Sequence, residues 1–440
     1  MNPGDGYPLE MRVAVIGKTL SGGAGRAMVR ITDALVDEGS SQQVQAKYFL
    51  SPAEEGLPLK NGVDSECWNR SIRVAFRMQV FANRLTTRNL FWSPERSLVS
   101  YPRVNSGIAR KLLEQNFDLA HLHWLGDSTM SIREVGRLHV PIVWTLHDMW
   151  PIGGAQHYSL TKRHRAGYNR SNREERELGA DLNLMAWNKK IQSWEKPMVF
   201  VSPSEWLARE AKSTLIGSRG QVFHIPNPID TTYWTPDAKT CFREAHNVGN
   251  ADKVIVFGSA GGKKNPLKGS ETLLPLLRGL AERFRQLRES PNIKVFVFGD
   301  SGENQFFGNI HLSFLGNLDD EQLRAMYSAA DLAFVPSLID NFPSVATEAI
   351  SCGTPIVTFE NYGPAEIVRK TGAGLISGRN DIDQTVSDVI ALLKNSSALK
   401  KMSEAGRKFA QSEWNPARIR DQYLCVYQEA SALARGDISY

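Results

Sequence analysis

The sequence predicts an α/β protein made of two doubly wound, Rossmann-like parallel sheets in succession. Three observations lead there. Short apolar runs alternate with amphipathic helical text, a rhythm that builds parallel sheets through crossover helices. The rhythm stops at a Pro-Asn-Pro turn near Pro226–Asp230 and restarts at Lys253. The length of 440 residues suits two domains better than one.

In the first half, "MRVAVIG" (11–17) reads as a strand. The glycine turn "SGGAG" (21–25) leads from it into an amphipathic helix. "FDLAHLHWL" (117–125), "VPIVWTLHD" (140–148), "PMVFVSPS" (197–204) and "QVFHIPNPID" (221–230) are the further strands. In the second half, "KVIVFGSAGG" (253–262), "IKVFVFGDSG" (293–302), "IHLSFLGNL" (310–318), "DLAFVPS" (331–337) and "TPIVTFE" (354–360) repeat the pattern. The expected partition is 11–226, 227–412 and a terminal helix, 413–440, that crosses back to the first domain. Two such sheets facing each other would bind a ligand in a cleft at the carboxyl ends of their strands. Residues 159–190 are arginine-rich and poorly periodic. They read as a mobile loop over that cleft, a partly disordered insert or a plain solvated insertion.

Composition narrows the function. The 42% hydrophobic and 22% charged content is that of an ordinary globular protein. A net charge of +5 allows an anionic ligand or surface without calling for nucleic acid. The four cysteines are far apart and fit a reducing cytosol. The start has no basic, apolar leader, and no run of about eighteen apolar residues occurs. The expectation is a cytoplasmic protein that meets a membrane only from the side.

Several stretches carry candidate chemistry. "GKT" (17–19) lacks the earlier glycine of a P-loop, where Arg12 stands. "SGGAG" is a turn through which a backbone approaches a phosphate, or one set by packing alone. "GSAGGKKNPLKG" (258–269) places Lys263, Lys264 and Lys268 after a strand, where ammonium groups suit a diphosphate or are simply solvated. In "DNFPSVATEAISCGTP" (340–355), Pro343 opens a helix of about Ser344–Cys352 and Gly353 closes it. Asp340 then lies just before the helix and Glu348 about one turn inside. Backbone amides near Phe342–Val345 sit between two acids that can accept hydroxyls, which suits a nucleotide sugar; simple capping and a surface acid are the alternative. His121 and His123 point to one face of a strand and read as core or hydrogen-bonded residues. His147 ends a strand and is the better functional candidate. No metal-ligand spacing appears. In "SIRVAFRMQVFANRLTTRN" (71–89), Arg73, Arg77, Arg84 and Arg88 share an arc of about 60° flanked by Phe76, Val80 and Phe81. That stripe faces anionic lipid, solvent or the cleft.

"PSLIDNFPSVATEAISCGTPIVTFENYGPAEIV" (336–368) resembles the donor-binding signature of family 4 retaining glycosyltransferases, which have the GT-B fold. "HLHW", "PIVWTLHDMWPIGGAQHY", "VSPSEWL", "IPNPID" and "LKG" resemble other landmarks in the same order, so the resemblance covers nearly the whole chain from Met11. The branch it most resembles builds bacterial cell-surface polysaccharides. The resemblance implies a nucleotide-diphosphate sugar as donor, a glycan or lipid-linked acceptor, and no metal or other cofactor. It implies that Lys268 binds the diphosphate, Glu348 the ribose hydroxyls and Asp340 the transferred sugar. Amides of Asn341, Phe342 and Ser344, around Pro343, hold phosphate or sugar. Gly316, Asn317 and Leu318 edge the base. Gly22 and Gly23 approach the diphosphate, and His147 lies near the sugar. Three positions depart from the pattern: Asp340 stands for the usual Glu, Gly262 stands where an Arg is common, leaving Lys263 or Lys264 to substitute, and Ala155 replaces a Cys before His157. A nucleotide-sugar hydrolase or epimerase, or a non-catalytic binding module, would share this pattern. A dinucleotide dehydrogenase is disfavoured because neither opening strand is followed by G-x-G-x-x-G.

Overall fold

The computed structural model describes residues 10–36, 43–54, 63–92, 98–126, 129–258, 266–360, 362–378 and 381–437, without the side chains of 86–92 and 266. The chain forms two compact units, one of residues 1–228 with 416–440, the other of 229–415.

The first unit contains β1 (Glu10–Gly17), β2 (Gln43–Leu50), β3 (Asp64–Ser65), β4 (Phe91–Trp92), β5 (Leu119–Leu122), β6 (Ile142–Thr145), β7 (Leu178–Gly179), β8 (Val199–Ser202) and β9 (Gln221–His224). Seven of them form one sheet in the order β3-β2-β1-β5-β6-β8-β9, and every pairing in it is parallel. β4 and β7 make a separate antiparallel ribbon. Val13 to Ile16 of β1 are all buried, as a parallel strand covered on both faces requires. β2, which pairs with β1 over its whole length, was not foreseen. Its sequence, QVQAKYFL, carries polar residues at three positions and so lacks a clear apolar run.

Helix α1 (Gly22–Leu35) buries Met28, Ile31 and Leu35 against this sheet. The terminal helix (Pro416–Arg435) adds Ile419, Tyr423, Val426, Tyr427, Ala430 and Leu433 to the same core. Helix α2 (Arg70–Leu90) buries Phe76 and Val80, so these two face inward rather than flanking the arginine stripe; only Phe81 of that expected trio is exposed.

The second unit contains β10 (Lys253–Gly258), β11 (Ile293–Phe298), β12 (Gln305–Phe307), β13 (Ile310–Gly316), β14 (Leu332–Val335), β15 (Ile356–Phe359) and β16 (Gly374–Ser377). Their order is β12-β13-β11-β10-β14-β15-β16, parallel throughout except for the edge hairpin β12–β13. Both sheets thus place their first strand centrally, with the second and fourth main strands on opposite sides.

Residues 159–190 are a correction to the sequence reading. They are folded, with short helices at Arg163–Ala166 and Arg170–Asn172 and the start of a longer helix, Leu182–Ser193. The polarity that suggested an unstructured insert is paired internally. Arg163 is buried and donates to Glu177 at 2.9 Å and Asp181 at 2.7 Å. Asn183 accepts the amides of Ala155 (3.0 Å) and Gln156 (3.1 Å). Lys190 is fully buried, and its ammonium donates to the carbonyls of Trp150, Gly153 and Gly154 and lies over the Trp150 ring. Burial pushes Lys190 well below its usual pKa. Lys190→Ala should lower the unfolding free energy by about 3 kcal/mol, because three buried carbonyls lose their donor. Urea titration checks this, and an unchanged midpoint would mean the carbonyls do not depend on it.

Candidate functional site

In each unit the candidate residues lie where the strand order reverses. There the connections leaving adjacent strands diverge and leave the strands' carboxyl ends uncovered.

In the first unit the diverging strands are β1 and β5. The main chain ties their ends together, His123 N–H to Ile16 at 2.8 Å and Lys18 N–H to Trp124 at 3.1 Å. A pocket of about 230 Å³ opens here, walled by Lys18, Thr19, Ser21, Gly22, Gly23, His123 and Trp124 among others. Gly22 has φ +73°, which L-residues rarely adopt, so the turn itself needs it. At Gly23 φ is ordinary and an added Cβ would meet nothing within 4 Å. Packing therefore does not require that glycine, and the bare backbone at the start of α1 is left open to an anion.

A row of histidines backs this pocket. His147, half-buried after β6, shares a hydrogen bond between its Nε2 and His123 Nδ1 (3.0 Å). The contact directs the other ring nitrogen of His147 away from His123. Nε2 of His123 is buried with no partner among the described residues. His121 stacks against His123 and bonds Tyr427 (2.8 Å) and Thr145 (2.8 Å), and Thr145 in turn bonds Tyr423 (2.9 Å). Two of these partners come from the terminal helix, so that helix fixes the row from behind. Burial is the largest cause lowering all three histidines. His121 falls to about 3, helped by His147, and His123 falls well below the usual value. His147 falls to about 4, because dense protein surrounds its ring although part of it is accessible; Asp148 only partly offsets this.

Asp148 holds the pocket wall. It accepts Trp124 Nε1 at 2.6 Å, the Trp150 amide at 2.9 Å and His157 Nδ1 at 2.5 Å, while His157 Nε2 meets Ser100 at 2.7 Å. Burial alone would raise its pKa, but His157 and these donors hold it below the usual carboxylate range. Sequence reading gave no role to Trp124, Asp148 or the His123–His147 contact. The signal was the recurrence of "HLHW" and "LHD" at the ends of two strands that prove to be neighbours.

In the second unit the diverging strands are β10 and β14. Lys268 ends a 3-10 turn, Pro266–Lys268, and Asp340 follows β14. They form an ion pair across 72 residues of sequence. Two glycines allow this approach. A Cβ on Gly269 would lie 2.1 Å from the Pro336 carbonyl, and one on Gly363 would lie 1.9 Å from that of Asn341. The amide of Leu338 also bonds Leu267 at 2.7 Å, and that of Gly363 bonds Asp340 at 3.0 Å. The helix Ser344–Ser351 starts beside this pair, with Pro343 at its N-cap and Gly353 (φ +79°) beyond its end. The Pro343 carbonyl accepts the amides of Ala346 (3.0 Å) and Thr347 (3.3 Å), and an α-helix gives the amides before these no intrahelical partner. Asp340 does not cap the helix: its carboxylate bonds Lys268. Glu348 lies one turn inside and only 1% exposed, so the surface alternative fails. With burial, its charge lifts the Cys352 thiol to about 12. Gly316 (φ +68°) ends β13, with exposed Asn317 and half-buried Leu318 after it. Lys263 and Lys264 lie outside the described residues.

Comparison with known proteins gives the same picture. Residues 21–233 match the family model "Glycosyltransferase Family 4". Residues 239–409 match "Glycosyl transferases group 1". A phosphatidyl-myo-inositol mannosyltransferase of Mycobacterium leprae is 23% identical over 74% of this chain and 77% of its own length. A D-inositol 3-phosphate glycosyltransferase of Jonesia denitrificans is 25% identical over 72% and 73%. Among solved structures, sucrose-phosphate synthase from Thermosynechococcus elongatus aligns with TM-score 0.64 at 16% identity, over 96% of this chain and 99% of its own. HepE of Anabaena in complex with UDP-glucose aligns at 0.60 and 15%, over 95% and 99%. These structures share the two-domain GT-B fold.

The histidine row makes stability depend on pH. Unfolded, these residues take up protons near 6.5, whereas folded His121 and His147 do so only near 3 and 4. Between those values the unfolded chain binds more protons, so stability is complete above about pH 6.5 and falls as pH drops. At pH 5 the loss from His121 alone is about 2 kcal/mol. Melting temperatures at pH 7.5 and 5 should show the fall, and His121→Gln should flatten it. An unaltered slope in that variant would rule His121 out as its source.

Proposed function

The chain belongs to the family 4 glycosyltransferases, of GT-B fold, and on that premise we propose a retaining transfer from a nucleotide-diphosphate sugar to an acceptor hydroxyl. The acceptor in this reading is a glycan or a lipid-linked polyol, the setting is cell-surface polysaccharide synthesis, and the place is the cytoplasmic side of a membrane. The observation that carries the reading is the Lys268–Asp340 pair at the start of a helix whose buried Glu348 lies one turn inside.

Lys268 and the helix start meet the diphosphate, and Lys263 or Lys264 adds charge there. Glu348 accepts the ribose hydroxyls, which offsets the cost of a carboxylate in the interior. Asp340 accepts hydroxyls of the transferred sugar, and amides from Asn341 to Ser344 hold phosphate or sugar. Gly316–Leu318 edge the base. The first unit offers Gly22 and Gly23 to the diphosphate and His147 to the sugar. At neutral pH a histidine with a pKa near 4 is uncharged, so His147 acts as a hydrogen-bonding group and not as an acid.

In the reaction the bond from the anomeric carbon to the phosphate oxygen breaks, and its electrons go to the diphosphate. The acceptor oxygen bonds to that carbon on the same face and passes its proton to the leaving phosphate. Lys268 and the helix amides stabilise the charge that develops there, which is electrostatic catalysis. UDP and UDP-glucose in the Anabaena structures support the donor class. The names of the mycobacterial and Jonesia relatives support a polyol acceptor.

Calorimetry with UDP-, GDP-, ADP- and dTDP-sugars tests the donor, and product analysis with and without acceptor separates transfer from hydrolysis. Glu348→Ala should reduce donor affinity at least about tenfold, the loss of about 1.4 kcal/mol expected when hydroxyls lose a charged acceptor. Full affinity in a folded variant would remove Glu348 from the site. Lys268→Ala should weaken the nucleoside diphosphate much more than the nucleoside; equal losses would end its phosphate role. Turnover should persist in EDTA, and its abolition with rescue by a divalent ion would overturn the metal-free form of the mechanism.

A further inference from the structure

We propose that the outer face of α2 docks the protein flat on an anionic lipid surface. The helix is 21 residues, about 30 Å long at 1.5 Å per residue. Asn83, Phe76 and Val80 hold its inner face, with Asn83 donating to the Tyr101 carbonyl at 3.1 Å. Its outer face is unlike an ordinary solvated face. Val74, Met78, Phe81 and Leu85 are 48%, 63%, 64% and 48% exposed. At 100° per residue they fall within an arc of about 60°, so they form one apolar stripe. In the ribbon that follows the helix, Leu178 of β7, paired with Trp92 of β4, is 60% exposed.

Charge selects the occupant. The helix sequence, RSIRVAFRMQVFANRLTTRNL, contains five arginines and no carboxylate. Exposed Arg70, Arg77 and Arg84 run along one border of the stripe. Apolar residues in the centre with cations beside them suit the boundary of a bilayer, where the apolar side chains enter the acyl region and the cations meet phosphates. A second copy of this chain would bring like charges together along that border. No described helix is long and apolar enough to cross a membrane, so this is contact from one side. The proposal rests on no assignment of donor or acceptor.

Co-sedimentation of the full chain with phosphatidylglycerol–phosphatidylcholine vesicles and with pure phosphatidylcholine vesicles tests it. The anionic vesicles should capture the protein, the neutral ones at least tenfold less, and salt should weaken the capture. Met78→Glu with Phe81→Glu should abolish binding, and Arg70→Gln with Arg84→Gln should reduce it at least threefold. Both pairs lie at solvent, so melting temperature and nucleotide-sugar binding should stay as in the parent. Equal capture by both vesicle types, or unchanged capture of the Met78/Phe81 variant, would overturn the proposal. So would a dimer in gel filtration that this variant converts to monomer, which would assign the stripe to a second copy.

Discussion

In both sheets the strand that opens the unit sits in the middle, and the connection leaving it runs opposite to the one leaving its later neighbour, β5 or β14. Parallel strands bring all their carboxyl ends to one edge. Where the connections diverge, no crossover covers that edge. The candidate residues for donor binding among the described ones gather at these two places. In the first unit it is the open start of α1 with His123 and Trp124; in the second it is Lys268, Asp340 and the helix carrying Glu348. The remaining strands and helices mainly fix those edges.

The two sites have opposite electrostatic character. Burial keeps the histidines of the first unit neutral, and from the terminal helix the Tyr427 hydroxyl bonds His121 while that of Tyr423 bonds Thr145. The second site is ionic: an ammonium, a carboxylate and helix amides lie around one loop.

Two arginine-rich stretches show what composition leaves open. In 159–190 the cations find partners: Arg163 reaches Glu177 and Asp181, and Lys190 reaches three carbonyls, so the segment is folded inward. In α2 no acid stands on the helix, and the arginines border an exposed apolar stripe. Both read as arginine-rich in sequence. The difference lies in distant residues: acids and carbonyls pack around Arg163 and Lys190, whereas Val74, Met78, Phe81 and Leu85 of α2 stay exposed. β2 escaped notice for a related reason: its burial depends on α1 and β1 and leaves only a weak apolar pattern of its own.

What the sequence determined by itself was local. Apolar runs marked most strands, and Pro343 and Gly353 marked the ends of one helix because φ and hydrogen-bonding rules act over a few residues. The spacing of Asp340 and Glu348 followed from that helix. Tertiary structure decided the strand order, the contact of Lys268 with Asp340 and of His123 with His147, and the burial of both acids. These depend on pairings between residues tens of positions apart, each set by the packing of whole elements. No periodicity within a single stretch records them.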